Sequence, residues 1–229
     1  MYKMSDPSLS AVVITKNEEK KIRRCLDSVK DLASEIVIVD DESTDKTPEI
    51  AREEYGAKVI TNRSGSDFDN QRNIGIEASS GEWILQMDAD EEVPAKTLSI
   101  IRDAISGGSS FDAFTITRRD CVFGVPLKYC GQEKAIKLFR KGKARFTGNK
   151  IHETLRVEGD VGDISAHVLH YNFDSTNEVI SRWNHYTDVE SAAYFRENGP
   201  QSYGFFKRRL LYKSIKLFYK HYIKKRAYK

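Results

Sequence analysis

Asp88 and Asp90, two carboxylates separated by one residue in Met87-Asp88-Ala89-Asp90, have the type and spacing to hold a divalent cation. They follow an apolar run, so both can reach one ion directly or through water. Mg²⁺ and Mn²⁺ favour such oxygen ligands and leave positions open for phosphate oxygens. The same triplet also occurs in solvated turns, and Glu91 and Glu92 beside it suit that alternative. A second cluster is Asp40-Asp41-Glu42-Ser43-Thr44-Asp45. An ionised carboxylate only accepts, so Asp41 can take the imino hydrogen of a pyrimidine base. The run equally suits an acidic helix start, with Ser43 or Thr44 as cap and Asp45 near the dipole. A third cluster, Thr15-Lys16-Asn17-Glu18-Glu19, could grip a nucleoside through backbone groups and Glu19, or could simply open a helix with acids in its first turn.

The elements that must position these clusters alternate between strand and helix. Leu9–Thr15 (LSAVVIT) reads as a buried strand, and residues 19–32 carry Ile22, Cys25, Leu26 and Val29 at helical spacing. Residues 35–39 (EIVIV) form a second strand, and a helix with Pro48 in its first turn runs from 43–45 to about residue 54. Lys58–Thr61, a helix over 68–79 and a strand over 82–87 complete the half. This order predicts an α/β fold with a mostly parallel central sheet flanked by helices. Ligands of such sheets gather at the carboxyl ends of the strands, where Thr15, Asp40-Asp41 and Asp88-Asp90 all fall. The second half is less regular. Strands are expected over 111–118, 135–139 and 168–171, with a Gly-rich excursion at 124–131, a loop at 148–153 and helix from 177 onward.

At 229 residues the chain can bury one sizeable core. The three cysteines, Cys25, Cys121 and Cys130, have neither the density of a disulfide scaffold nor zinc spacing, so they read as reduced structural thiols. No apolar run reaches the roughly 18 residues of a membrane span, and residues 1–10 lack a secretory signal, which makes a cytoplasmic location the expectation. The net charge of +3 is unevenly spread: residues 205–229 hold ten Lys or Arg and no acid, leaving −7 on residues 1–204.

Four segments in order carry a resemblance: Val12-Val13-Ile14-Thr15-Lys16-Asn17-Glu18-Glu19, Val39-Asp40-Asp41-Glu42-Ser43-Thr44-Asp45-Lys46-Thr47, Gln71-Arg72-Asn73-Ile74-Gly75, and Gly81-Glu82-Trp83-Ile84-Leu85-Gln86-Met87-Asp88-Ala89-Asp90. Together they resemble the family 2 glycosyltransferases, most of all the bacterial branch that builds lipopolysaccharide core and related surface glycans. The resemblance implies a GT-A fold, an inverting mechanism and a nucleotide-diphosphate sugar donor, with UDP favoured. It also implies that Asp41 contacts the base, Asp88 the ribose or metal, Asp90 the metal (Mg²⁺ or Mn²⁺), and Arg72 the donor phosphates; Thr15, Asn17 and Glu19 complete the donor set. Glu42 departs from the family, which often has Gly or another small residue there, and this puts the local turn in question.

Inverting transfer needs a base to take the acceptor hydroxyl proton. Ile151-His152-Glu153 resembles the His-Glu element of the surface-glycan branch, making Glu153 the candidate base, with His152 orienting it or touching phosphate. The alternative is a solvent-exposed Glu beside a packed His. His170-Tyr171 matches a His-Tyr pair of the same branch, and His170 is the candidate further metal or phosphate ligand; a satisfied core histidine is the alternative.

With Leu211 at zero on a helical wheel, Ile215, Phe218 and Tyr222 fall within about 40°, opposite Arg209, Lys213, Lys216, Lys220 and Lys224. A cationic amphipathic helix suits the anionic inner leaflet of the cell membrane, or else docks its apolar side on the catalytic domain. No nucleic-acid recognition motif accompanies it, so no nucleic-acid partner is expected. The chain is therefore expected to comprise a catalytic domain at 1–204 (nucleotide-binding half about 9–92, acceptor half about 93–204) and a basic amphipathic tail at 205–229. Its expected partners are the donor, a membrane-associated glycan or glycolipid acceptor such as lipopolysaccharide core, and the membrane surface. The rivals are a sugar nucleotidyltransferase, whose Gly-rich phosphate loop is missing from residues 13–19, and a non-catalytic nucleotide-sugar-binding protein.

Overall fold

Strand β1, Leu9–Thr15, is an apolar run with Ala11, Val12 and Val13 wholly buried. Burial on both faces demands a neighbour on each edge and cover above and below. β2 (Glu35–Asp40) and β4 (Trp83–Asp88) supply the edges, each parallel to β1, with Ile14 level with Val39 on one side and Asp88 on the other. β3 (Lys58–Thr61) adds a further parallel strand beyond β2. The computed structural model describes residues 7–65, 67–106, 108–128, 131–147 and 155–224.

Alternation along β1 sends Ala11 and Val13 into one apolar layer and Val12 into the other. On the first face they meet Ile22, Cys25 and Leu26 of α1 (Ile22–Asp27) and Ile50 and Ala51 of α2 (Thr47–Tyr55). On the second, Val12, Val37 and Ile84 meet Ile76 of α3 (Phe68–Ala78) together with Phe139 and Phe146. α3 lies close on the sheet because Gly75 lacks a side chain: a Cβ there would stand 2.4 Å from Cγ1 of Val12. α1 is shorter than the 19–32 predicted, yet its spaced apolar residues are buried as expected and Val29 beyond its end is buried too.

After β4 come β5 (Glu91–Glu92), α4 (Ala95–Ser106), β6 (Ala113–Val122), β7 (Val125–Pro126), β8 (Gln132–Arg140), the β9–β10 hairpin (Ala144–Phe146 with Leu155–Val157) and β11 (Val161–Phe173). The sheet order is β3-β2-β1-β4-β8-β6-β11-β5, with β7 beside β6. β3, β2, β1 and β4 pair in parallel, while β4–β8 and β11–β5 are antiparallel. The architecture is the expected α/β fold with a large central sheet.

The chain divides into two compact units, residues 1–119 with 133–170, and residues 120–132 with 171–229. The first contains the parallel strands and all three polar clusters. In the second, β7 pairs with the end of β6 across Phe123 and Gly124, both at positive φ (52° and 76°), as a tight two-residue hairpin requires. Two long helices, α5 (Thr176–Asn198) and α6 (Tyr203–Phe218), follow, and a π-helical turn, Tyr219–Lys224, extends the latter.

Candidate functional site

The carboxyl ends of β1, β2 and β4 lie side by side in the first unit, so Thr15, Asp40-Asp41 and Asp88 share one edge. Asp41 is buried there. Its Oδ1 accepts the Ser64 amide (2.7 Å), and its Oδ2 accepts the Ser64 hydroxyl (2.8 Å) and the Lys16 ammonium (2.9 Å). Burial alone would raise this carboxyl, but the Ser64 and Lys16 bonds outweigh it and hold Asp41 below the ordinary aspartate value. Three donors leave about one of its four acceptor positions for a ligand.

Asn17 and Glu19 are placed in a clasp between the loops that follow β1 and β2. The Asn17 amide donates to Ser43 Oγ (2.8 Å), Asn17 Oδ1 accepts the Thr44 amide (2.8 Å), and the Glu18 amide donates to Thr47 Oγ1 (2.8 Å). Asp45 Oδ2 accepts the Glu19 amide (3.1 Å), and Glu19 Oε2 accepts the Lys46 amide (3.2 Å). The first loop thereby sets the shape of the second, which carries Asp41. Thr15 stands at the root of this clasp, its carbonyl accepting the Asp41 amide (2.9 Å) and its buried hydroxyl without a protein partner.

The backbone at Glu42 accounts for the small residue that the resemblance leads one to expect there. Its φ is +52°, the left-handed region that glycine occupies freely and a side chain resists. Glu42→Gly is expected to stabilise the protein by about 0.5–1 kcal/mol once glycine's own entropy is deducted. That corresponds to a rise of about 1–4 °C in Tm, measurable by calorimetry. A fall in Tm would show that the 3.8 Å contact of Glu42 with Arg63 matters more than the backbone.

At the end of β4, Asp88 Oδ1 accepts Arg72 Nη2 (3.2 Å) and Gln86 Nε2 (3.3 Å). Arg72 comes from α3, is buried, and lies over the Phe146 ring with its carbon 5.2 Å from the centroid. Beneath Asp88 is a buried ion pair: Glu91 Oε2 accepts both the Lys137 ammonium (2.7 Å) and the Asp88 amide (3.0 Å). Burial would raise Asp88, yet the charges of Lys137 and Arg72 prevail and hold it well below the usual carboxylate range. Complete burial pushes the Glu91 carboxyl up, with Lys137 pulling against it.

Asp90 and His170 are 80 positions apart in sequence and 3.3 Å apart in space, Oδ2 to Nε2. The β5–β11 pairing sets His170 level with Glu91, one residue from Asp90. Both side chains retain some exposure, 14% and 13%. A carboxylate and an imidazole converging at an accessible edge fit a divalent cation, and the nitrogen ligand suits Mn²⁺ better than Mg²⁺. Among the described residues no group of three or more His, Cys, Asp or Glu forms a complete metal cage. This is compatible with Mn²⁺ and Mg²⁺, which take remaining ligands from water and substrate phosphate.

The candidate base Glu153 and its neighbour His152 lie outside the described residues, as does Cys130. The strands that flank the 147–154 segment are described: Leu155 pairs with Phe146, whose amide and carbonyl are both bonded by the Asn73 side chain at 3.0 and 2.9 Å. Asn73 thus follows Arg72 on α3 and ties that strand pair to the helix.

Sequence reasoning missed Ser64, Glu91, Lys137 and Phe146. Glu91 had served only the solvated-turn alternative, and burial removes it from solvent. Lys137 carried no local signal: alternation sets a lysine between Ile136 and Leu138 on the opposite face of the strand from them, and only what covers that face decides its burial.

With this site in view, the comparisons with known proteins agree. The family model for glycosyl transferase family 2 matches residues 10–156, and the chain belongs to that family. An uncharacterized glycosyltransferase of Rickettsia bellii is 27% identical over 219 residues, covering 88% of this chain and 72% of its own. The lipopolysaccharide core biosynthesis glycosyltransferase LpsC of Rhizobium meliloti is 26% identical over 190 residues, covering 80% and 70%. A TPR repeat-containing protein of Synechococcus elongatus is 37% identical over 116 residues, and this chain spans 28% of its length. Among solved structures, S. aureus TarS 1-349 in complex with UDP-GlcNAc superposes with a TM-score of 0.54 at 18% identity, over 75% of this chain and 60% of that one. Glucosyl-3-phosphoglycerate synthase from Mycobacterium tuberculosis, in complex with Mn²⁺, UDP and phosphoglyceric acid, gives 0.50 at 15% identity, over 86% and 80%. These likenesses establish the GT-A glycosyltransferase fold.

Proposed function

We propose that this chain is an inverting glycosyltransferase that moves a sugar from a nucleotide-diphosphate donor, UDP-sugar by preference, to a membrane-associated glycan or glycolipid. The observation that carries the reading is the convergence of Asp90 and His170 beside an Arg72-bound Asp88, on the strand edge that also holds Asp41. Asp41 offers a remaining acceptor position to the base, Asp88 serves the ribose, and Arg72 serves the donor phosphates. Asp90 and His170 would hold Mn²⁺ or Mg²⁺, which when bound offsets charge on the diphosphate. Thr15 and the clasp of Asn17 and Glu19 shape the nucleoside end. Relatedness to LpsC supports a surface-glycan acceptor.

Glu153 takes the acceptor hydroxyl proton as that oxygen bonds to the anomeric carbon, and the bond from that carbon to the diphosphate breaks with its electron pair leaving on the nucleotide. His152 orients the base. Glu153→Gln is expected to lower transfer at least about 10²-fold while donor affinity stays within about threefold. Near-normal turnover in that variant would remove Glu153 from the role. The donor itself is tested by thermal shift with UDP- and GDP-sugars and Mn²⁺, since a donor at 100 times its Kd stabilises the fold by about 2.7 kcal/mol. Metal-dependent donor hydrolysis supports transfer, pyrophosphate exchange would make the protein a nucleotidyltransferase, and binding without turnover would make it a binding protein.

A further inference from the structure

The second unit shows far more apolar side-chain surface than it covers. Among its described residues from 171 to 224 none is buried, although α5 and α6 are rich in large hydrophobic residues. The two helices touch through Tyr194, which stacks on Phe205 at 6.3 Å, and through Arg209, whose guanidinium lies 4.9 Å from the Tyr194 ring centre. A groove of 760 Å³ runs along this contact, and α6 lines it with Phe206, Arg209, Leu210 and Lys213.

That assignment separates two apolar stripes on α6. Phe206 and Leu210 lie about 100–140° around the helix from Leu211, by the 3.6-residue period. The stripe formed by Leu211, Ile215 and Phe218 therefore faces away from the groove, and these residues are 63%, 61% and 57% exposed. Tyr222 extends the stripe by stacking on Phe218 at 4.9 Å. Contiguous apolar surface of this kind marks an interaction face.

Charge selects what covers it. Residues 199–224 include Lys207, Arg208, Arg209, Lys213, Lys216, Lys220 and Lys224 and not one acid. A second copy brought up across a two-fold axis would set these cations against themselves, with no carboxylate on α6 to answer them. An anionic bilayer surface answers both features: the apolar side chains enter the interface, and the long lysine stems reach back to the headgroups. No helix among the described residues is long and apolar enough to cross a membrane.

We infer that the Leu211, Ile215 and Phe218 stripe of α6 docks on an anionic lipid surface, the helix lying in the plane of the interface, while the Phe206 and Leu210 stripe serves the groove toward α5. This deepens the membrane-associated acceptor reading above and specifies which side of the helix is engaged.

The test is co-sedimentation of the full chain with vesicles of phosphatidylcholine alone and of an equal mixture with phosphatidylglycerol. The expected result is binding to the mixed vesicles only, falling about tenfold or more at high salt. Leu211→Asp with Ile215→Asp is expected to cut partitioning about tenfold or more, and Lys207→Gln or Arg208→Gln, which flank the stripe within about 60° of Leu211, about fivefold each. Circular dichroism on each variant checks that helix content is kept; Leu211→Ser with Ile215→Ser replaces the aspartates if it is not. Equal partitioning to the two vesicle types, no partitioning, or unchanged partitioning of the stripe variants overturns the inference. So does a full chain that elutes as a dimer and becomes monomeric on stripe substitution, which would make a second copy the occupant. Vesicle binding needs no sugar donor, so thermal shifts with UDP-sugar and Mn²⁺ on the same samples show separately whether the transferase reading fails.

Discussion

Lys137→Met is expected to destabilise the protein by about 3–5 kcal/mol, because it strands the Glu91 carboxylate in the core. The two side chains are 5% and 0% exposed and meet at 2.7 Å, so neither has water to fall back on. Equilibrium urea denaturation at pH 7 measures the loss. Glu91→Gln combined with Lys137→Met should recover most of it, since the amide oxygen still accepts the Asp88 amide and no charge remains buried. The pH dependence separates the two carboxylates. Glu91 is raised in the folded protein and rises further without Lys137, so the folded state takes up a proton before the unfolded chain does. The deficit of the single variant should therefore shrink as pH falls from about 8 toward 5. Asp88 is depressed, so its contribution is present above the unfolded value of about 3.9 and lost as pH falls through the folded one. Without Lys137 that folded value climbs, and the acid limb of stability moves to higher pH. A loss below about 1 kcal/mol at pH 7 would mean that burial of Glu91 does not depend on Lys137.

Asp90→Ala is expected to lower sugar transfer by about 10²–10³-fold, the scale of removing one group that stabilises developing charge. The larger diagnostic is the donor's response to metal. In the parent protein Mn²⁺ should strengthen donor binding, and in Asp90→Ala that strengthening should vanish while the fold keeps its Tm within a few degrees. The stability effect is small because the variant loses the one 3.3 Å contact with His170, on the scale of a single hydrogen bond, about 0.5–1.5 kcal/mol. His170→Ala should reproduce the metal effect in weaker form, since one carboxylate would remain. Calorimetric titration of UDP-sugar with and without Mn²⁺ reads both variants. If Asp90→Ala retains metal-enhanced donor binding, the Asp90 and His170 pair is structural and the cation sits elsewhere.

Several parts of this arrangement were legible before any coordinates. The run Leu9–Thr15 is apolar on consecutive positions, which only a strand covered on both faces tolerates, and β1 has those bounds. Pro48 and the spacing of Ile22, Cys25 and Leu26 are local signals: Pro48 lies in the first turn of α2 and the spaced residues are buried, although α1 and α2 begin at Ile22 and Thr47, later than 19 and 43–45, and neither Ser43 nor Thr44 caps α2. The second half was read less well. β11 runs from Val161 to Phe173, where only 168–171 looked like strand, because its length depends on long-range pairing and not on its own alternation. β5 is two glutamates long and has no sequence signature of a strand; it exists because β11 is there to pair with it.

The sequence alone determined that polar groups, Thr15 and the carboxylates of Asp40, Asp41 and Asp88, stand at the ends of three strands, since strand runs and their termini follow from local hydrophobic order. It also determined the family, through four motifs in series. Only the tertiary structure decided which distant group meets each carboxylate: Ser64 and Lys16 at Asp41, Arg72 at Asp88, Lys137 at Glu91 and His170 at Asp90. Glu91 and Glu92 illustrate the reason. Adjacent and chemically alike, they differ because successive strand residues face opposite ways, and only the packing of β8 and β11 around β4 and β5 puts one of them in the core.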